Sequence, residues 1–335
     1  MGVTSSTIFS EVKDYIKLGK ELQSHLSKFP NDWRKFQNNF NSTLDKVYED
    51  ILQFEKENID ESEFKVYKFK KIFEKRYRPF FLYGEFIRRC LEKPFGYAGD
   101  FKIIDDMYQN KPLTSGFTRL WDNWFLELAA PKAVRERKED FKKIIYDFVK
   151  ERHSNRNIRI MNLACGPARE IKELFESDTS KLFSKVTFDC YDFDIRAIDY
   201  AKQLLNNNNN NVNFFQKNAI RMALKKYITS EIPQDYDLIY SMGLFDYLDI
   251  SIAVRLIANL KRLLRKDGAM LISNVRDKYS NSSAGWMEWV VEWYLIYRTE
   301  KEFRKIFLDA NITAGDLRII PQNSKVMQYC IVESR

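Results

Sequence analysis

The chain has 335 residues, 44% hydrophobic and 30% charged, which excludes disordered and collagen-like classes and leaves room for one large domain or two moderate ones. No window approaches the roughly 18 uncharged apolar residues of a membrane span, and the net charge of +8 is concentrated rather than spread along the chain. Four cysteines stand apart at 90, 165, 190 and 330 and the first 30 residues hold no signal-like apolar core, so the default is a reduced, cytoplasmic protein without zinc ribbon or disulfide framework.

The opening Met1-Gly2-Val3-Thr4-Ser5-Ser6 fits the loose M-G-x-x-x-[ST] acylation pattern, which has meaning only beside a eukaryotic acyltransferase. From there to about 150 the chain reads almost wholly helical. Apolar residues recur at three and four through Ile8, Val12, Ile16 and Leu22, then through Trp33, Phe36, Phe40, Leu44 and Val47. Asn31-Asp32, after Pro30, is the expected cap of the second helix. A third pattern runs through 61–92 with breaks at Pro79 and Gly84. Within it, Lys65 to Arg89 carries nine basic residues against Glu74 and Glu85. This segment reads either as a solvated helix face, with Phe69, Ile72, Phe73 and Tyr77 turned inward, or as a surface for an anionic partner. The loop from Lys93 to Asp100 (KPFGYAGD) is the most turn-rich stretch of this half, and a helix over about 132–152 closes it. The predicted division is an all-helical N-terminal cap over 1–152 and a second domain over 153–335.

From Asn157 the pattern changes. Short apolar runs (IRIMNLA, VTFDCYD, VNFFQ, YDLIYS, GAMLISNV) alternate with helical stretches near 168–177, 195–205, 251–265 and 300–309. This predicts an α/β, doubly wound, mostly parallel Rossmann-like sheet of seven strands. The tail, LRIIPQNSKVMQYCIVES, reads as two strands joined by a tight turn and added as an antiparallel edge. The asparagine run 206–211 is a polar loop insertion.

In an open α/β sheet the ligand lies beyond the carboxyl ends of the strands, where strand order reverses. The first strand ends in Asn162-Leu163-Ala164-Cys165-Gly166-Pro167-Ala168, with one glycine, which disfavours a dinucleotide; no P-loop pattern exists. The second ends in Tyr191-Asp192-Phe193-Asp194, where a carboxylate can accept from both hydroxyls of a ribose. Asn218-Ala219 follows the third, where a short amide can read an adenine edge, and Ser241-Met242-Gly243-Leu244-Phe245-Asp246-Tyr247 ends the fourth. Taken singly, Gly166 is a tight turn and Asp192 and Asn218 are helix caps.

In order and interval, these features resemble the class I S-adenosylmethionine-dependent methyltransferases over roughly 155–335. The resemblance implies that Asn162, Ala164, Cys165, Gly166, Asp192, Phe193, Asn218, Ala219, Ser241 and Met242 hold S-adenosyl-L-methionine. One position departs: Asn162 stands where the family often has an acid, which bears on how the methionine moiety is held. A narrower similarity spans about 90–335. The segments KPFGYAGDF, AVRERK, YDLIYSMGLFDYL and WMEWVVEWYLIYRTEKEF look like the bacterial subfamily associated with 3-hydroxy fatty acid methyl esters, of the 3-hydroxypalmitic acid methyl ester type.

Methyl transfer from a sulfonium is an in-line displacement in which the protein mainly supplies proximity. A carboxylate acceptor is deprotonated at neutral pH and needs no base, in keeping with a chain whose two histidines, His25 and His153, fall outside the sheet loops. An alcohol acceptor would need one. Asp246, with Tyr247 beside it, is then the candidate, unless it is a loop cap. Tyr97, in the Gly96–Asp100 loop, is a candidate for contact with cofactor or acceptor if the helical half caps the site. Arg135 or Arg137, and Arg276, can pair with a carboxylate or remain uncommitted surface charges. Trp286, Trp289, Val290, Trp293 and Tyr297 recur at three and four, as one helical stripe that either packs on the N-terminal helices or lines an acyl channel. The expected acceptor is a small-molecule carboxylic acid, with no metal. Nucleic acid is disfavoured because the fourth strand ends in Ser-Met-Gly-Leu rather than [DN]-P-P-[YF]. A non-catalytic binding module is the remaining rival.

Overall fold

The computed structural model describes residues 2–152, 156–206 and 211–333. His153, Met1 and the asparagines 207–210 lie outside the described residues. The chain divides into two compact units, Met1–Lys132 with Lys278–Tyr294, and Ala133–Asp277 with Leu295–Arg335.

The first unit is helical: α1 (Ser5–Lys28), α2 (Trp33–Asn58), α3 (Glu63–Arg76), α4 (Glu85–Glu92), α5 (Phe101–Gln109) and α6 (Gly116–Glu127). Helix α1 starts at Thr4, whose hydroxyl accepts from Thr7 N–H, and buries Ile8, Val12, Tyr15, Leu22 and Leu26 along one stripe. Pro30–Asp32 forms a short 3-10 turn, and Asp32 does not cap α2 with its side chain as expected; it faces His25 (3.0 Å) and Lys35 (2.8 Å) instead. Helix α3 buries Val66, Phe69 and Phe73 and leaves Lys68, Lys71 and Lys75 exposed, while Pro79 and Gly84 mark the break before α4. Tyr15, Phe40, Phe81, Trp121 and Trp124 form the aromatic centre of this unit.

Helix α7 (Ala129–Arg152) runs through the division at Lys132. The expected boundary at 152/153 therefore differs from the compact units. From Ala133 onward α7 buries Phe141, Ile145 and Val149, and Phe141 packs edge-on against Tyr240 and Tyr329 of the sheet. An apolar helix face belongs to the unit that buries it.

The second unit holds β1 (Ile158–Leu163), α8 (Arg169–Ser177), β2 (Val186–Asp192), α9 (Ile195–Leu204), β3 (Val212–Gln216), α10 (Ala219–Leu224), β4 (Tyr236–Ser241), α11 (Ile250–Lys261), β5 (Leu264–Val275), α13 (Glu300–Asp309), β6 (Leu317–Pro321) and β7 (Met327–Glu333); α12 (Ala284–Trp289) belongs to the first. The seven strands lie in the order β3-β2-β1-β4-β5-β7-β6. The strands β1 to β5 pair in parallel, whereas β7 runs antiparallel between β5 and β6. The predicted fold class is met. The final hairpin, however, places its second strand inside: Met327 to Val332 is wholly buried and pairs on both sides, whereas β6 forms the half-exposed edge. The chain winds outward from β1 through β2 and β3, then restarts with β4 on the other side of β1, so the strand order reverses between β1 and β4.

The apolar stripe expected over 286–297 is not one helix. It stops at Trp289, Glu292 takes φ +52°, and the chain then runs without helix to Thr299. Trp289 and Trp293 lie in the first unit and Tyr297 in the second.

Candidate functional site

The reversal between β1 and β4 places the ends of β1, β2 and β4 together within the second unit. The turn after β1 is left-handed at alternate residues, Ala164 (φ +56°), Gly166 (+53°) and Ala168 (+51°). Two alanines in that region cost about 1–2 kcal/mol each, a strain typical of functional turns. The turn is held to β2 by two hydrogen bonds: Cys165 N–H to Tyr191 O (3.0 Å) and Gly166 N–H to Asp192 Oδ2 (2.9 Å). Asp192 also accepts Asp194 N–H on Oδ1 (3.0 Å), and burial raises its carboxyl. The cap of α9 is Asp194, which accepts Arg196 N–H, so Asp192 is left to the turn.

Phe193, next to it, keeps 49% of its surface exposed and offers a π face. Asn218 caps α10, its Oδ1 accepting Arg221 N–H at 3.1 Å, as in the cap alternative. Ala219 opens that helix half-buried. Ser241 is buried and donates to Leu163 O (2.8 Å), fastening β4 to β1 at the reversal. Met242 is half-buried after it.

Gly243 has φ +87° and donates to Ser273 Oγ (3.0 Å); a Cβ there would lie 2.8 Å from Arg137 Nη1. This glycine lets the buried Arg137 of α7 approach the β4 loop. Arg137 Nη1 lies 3.8 Å from Asp246 Oδ2, while Asp246 Oδ1 accepts Val275 N–H at 2.7 Å. Burial pushes the Asp246 carboxyl up to about 6, against the opposing pull of Arg137 and Arg298. Arg298 is itself buried, donating to the carbonyls of Phe245 (2.7 Å) and Leu248 and to Asn274 Oδ1. Asp246 is therefore a tie between the loop, β5 and two guanidiniums, and only 4% exposed. Tyr247, beside it, is 44% exposed.

Beneath the β1 turn lies a carboxyl that the sequence reading passed over. Glu170, in the first turn of α8, accepts Asn162 Nδ2–H (2.9 Å) and Tyr240 O–H (2.8 Å), both on Oε1. All three side chains are buried, and burial raises Glu170 to about 7. Cys165 and Cys190 lie against each other here; that contact and burial push up the Cys165 thiol, and burial pushes up the Cys190 thiol against the contact's opposing pull, which leaves both unreactive.

The remaining predicted residues are placed elsewhere. Arg135 is half-buried on α7, two residues from Arg137 and so on a different face. Arg276 is half-buried after β5, its N–H donating to Val326 O (2.9 Å). Tyr97 lies in the first unit, in the segment turned by Gly96 (φ +86°) and Gly99 (φ +67°). Trp289 is buried in that unit's core against Phe69 and Phe73, donating from Nε1 to Glu55 (2.8 Å), which Lys278 also pairs. Trp293 is buried, its N–H donating to Met287 O (2.7 Å), and Tyr297 is half-buried. Sequence reasoning missed Glu170 and Arg298; a Glu in the first turn of a helix and an Arg before a Thr cap carry no periodic signal. Among the described residues, no group of three or more His, Cys, Asp or Glu is placed to hold a metal. No helix among them is long and apolar enough to cross a membrane.

The strand ends fit S-adenosylmethionine: a fixed carboxylate at Asp192 for a ribose, an exposed aromatic face at Phe193 for a purine, and buried acceptors on Glu170 and Asn162 without donors. Residues 154–311 match the family model of a methyltransferase domain. Among solved structures, a possible exported protein from Bordetella parapertussis is 18% identical with a TM-score of 0.57, covering 74% of this chain and 86% of that one, which shows a shared fold. Magnesium protoporphyrin IX methyltransferase from Synechocystis PCC 6803, with bound S-adenosylhomocysteine, is 11% identical over 62% of this chain and 87% of that one, at a TM-score of 0.46. No curated protein matches. The matched residues 154–311 include the strand ends described above, and the protein is an S-adenosylmethionine-dependent methyltransferase.

Proposed function

We propose that the enzyme O-methylates the carboxylate of a fatty or other small apolar acid, by in-line displacement and without a general base. The observation that carries this reading is the state of Asp246. It is the strand-end group placed to act as a base, yet one oxygen is held by Val275 N–H and the other faces Arg137, with Arg298 close by. A carboxylate so engaged and buried is poorly suited to strip a proton from an alcohol or phenol. An acid substrate arrives ionised and asks only for orientation.

In this reading the bound cofactor supplies the electrophilic methyl group. The protein's own part is positional. Asp192 and the Gly166 turn hold the nucleoside end, and Ser241 and Gly243 fix the β4 loop that borders the reacting centre. Within the second unit, Arg276 and Arg135 are the candidates to pair with the substrate carboxylate, and Tyr247 and Tyr297 the candidates to border its apolar part. The similarity of KPFGYAGDF and WMEWVVEWYLIYRTEKEF to the 3-hydroxy fatty acid methyl ester subfamily supports a 3-hydroxy acid acceptor.

The test is transfer of a labelled methyl group to a panel of 3-hydroxy and plain fatty acids, a catechol and transfer RNA, with products identified by mass spectrometry. Methyl esters of the acids are expected. Label in the catechol or the RNA, with none in the acids, would overturn the reading.

A further inference from the structure

Glu170 has none of its surface exposed. Its Oε1 accepts from both Asn162 and Tyr240. Its Oε2 is buried with no hydrogen-bond partner, and so is Oδ1 of Asn162. Two acceptors without donors thus sit on two side chains already joined by one hydrogen bond. Buried polar atoms are almost always paired, so this arrangement calls for an explanation. A proton on Oε2 would turn that oxygen into a donor on the same pair of side chains that Asn162 Nδ2–H already joins, with Asn162 Oδ1 as the acceptor in want of one.

We propose that Glu170 is a neutral acid sealed to Asn162 in the cofactor-free protein, and that the positive charge of S-adenosylmethionine draws the proton off when it binds. Glu170 then takes the part of the strand-end acid that Asn162 replaces. The balance is simple: the O–H bond of the Glu170 carboxyl breaks, the electron pair stays on Oε2, and the proton passes to the buffer.

The surroundings agree. Tyr240 of β4 donates to the carboxyl, and its own hydroxyl is pushed far up by burial, so it stays protonated. The thiol of Cys165 in the turn is raised by its contact with Cys190 and by burial, and that of Cys190 in β2 by burial, so neither adds a charge. Glu173, one turn along α8, has the same sign and opposes ionisation, though Lys138 (2.5 Å) and Lys142 (2.7 Å) of α7 pair with it. Burial lifts Glu170 to about 7, so a modest added positive charge can tip it at neutral pH.

Calorimetric titration of the full chain with S-adenosylmethionine, in buffers of differing ionisation enthalpy, counts the protons released. About half a proton is expected near pH 7, where a group of that strength is half neutral. Glu170→Gln keeps a neutral side chain whose amide can donate to Asn162 Oδ1, and should release no proton while binding S-adenosylmethionine more weakly than the wild type, since it supplies no strand-end acid. Tyr240→Phe removes a donor to the ionised form and should move the pH of greatest release upward. S-adenosylhomocysteine keeps the ammonium and carboxylate but lacks the sulfonium charge. Release with S-adenosylmethionine alone assigns the effect to the sulfonium, and release with both assigns it to the ammonium. No release by the wild type, undiminished release by Glu170→Gln, or no change with Tyr240→Phe would each overturn the proposal.

Discussion

Replacing Glu170 by glutamine should make the protein more stable at pH 8 and leave it little changed at pH 5. The folded chain raises this carboxyl from an ordinary value of 4.5 to about 7, chiefly through burial. Below 4.5 both folded and unfolded chains hold the proton and no penalty exists. Between 4.5 and about 7 the unfolded chain ionises first, so stability falls as pH rises; above about 7 the folded chain carries the full cost of a buried carboxylate. At about 1.4 kcal/mol per tenfold, a displacement from 4.5 to about 7 amounts to roughly 3 kcal/mol. Glutamine is neutral throughout, keeps the acceptor that serves Asn162 and Tyr240, and leaves no charge to bury. Urea unfolding of wild type and variant at pH 5, 6, 7 and 8, at fixed ionic strength, should show the variant's advantage growing from near zero to about 2–3 kcal/mol. Curves that stay parallel at all pH values, or a variant that loses stability at pH 8, would refute the reasoning.

Gly243→Ala should lower the melting temperature by several degrees in a thermal scan. A left-handed alanine costs about 1–2 kcal/mol, and its Cβ would lie 2.8 Å from Arg137 Nη1; an unchanged melting temperature would show that the loop relaxes freely. Asp246→Asn should retain methyl transfer to an acid substrate within about tenfold, by the reckoning that positioning alone is disturbed. Wild type and variant should have the same pH–rate profile, with no acid limb near pH 6, the value to which burial lifts this carboxyl; such a limb in the wild type, lost in the variant together with a thousandfold in rate, would mark a base. Trp289→Ala should cost about 3–5 kcal/mol of stability in urea, as removal of a core tryptophan does, because this side chain is 1% exposed. A stable variant with altered acyl-chain preference would restore the channel reading for that residue.

Most of the sheet was legible because parallel strands buried on both faces must be continuous apolar runs, and IRIMNL, VTFDCYD and YDLIYS are such runs. The tail's two strands were legible as short apolar runs on either side of a polar turn. Their order was not, since which strand lies inside depends on pairing across the sheet rather than on either segment's pattern. The division of the compact units at Lys132 has no signal in the sequence, because α7 is one uninterrupted helix across it. The stripe from Trp286 to Tyr297 has helical spacing, but Glu292 breaks the helix in a conformation that spacing does not reveal. At the site, Gly166 and Asp192 were readable from type and interval, and they are joined by a hydrogen bond. Glu170, Arg137 and Arg298 owe their roles to burial from elements distant in sequence, which a single chain read linearly does not disclose.

The central claim is that the strand ends of the second unit bind S-adenosylmethionine through Asp192. Isothermal titration of wild type and Asp192→Ala with S-adenosylmethionine tests it directly. Binding by the wild type and a weakening of about a hundredfold in the variant are expected, since the carboxylate holds the Gly166 turn and is the proposed acceptor for the ribose hydroxyls. Folded wild type that binds no S-adenosylmethionine, or a variant that binds it as tightly, would contradict it.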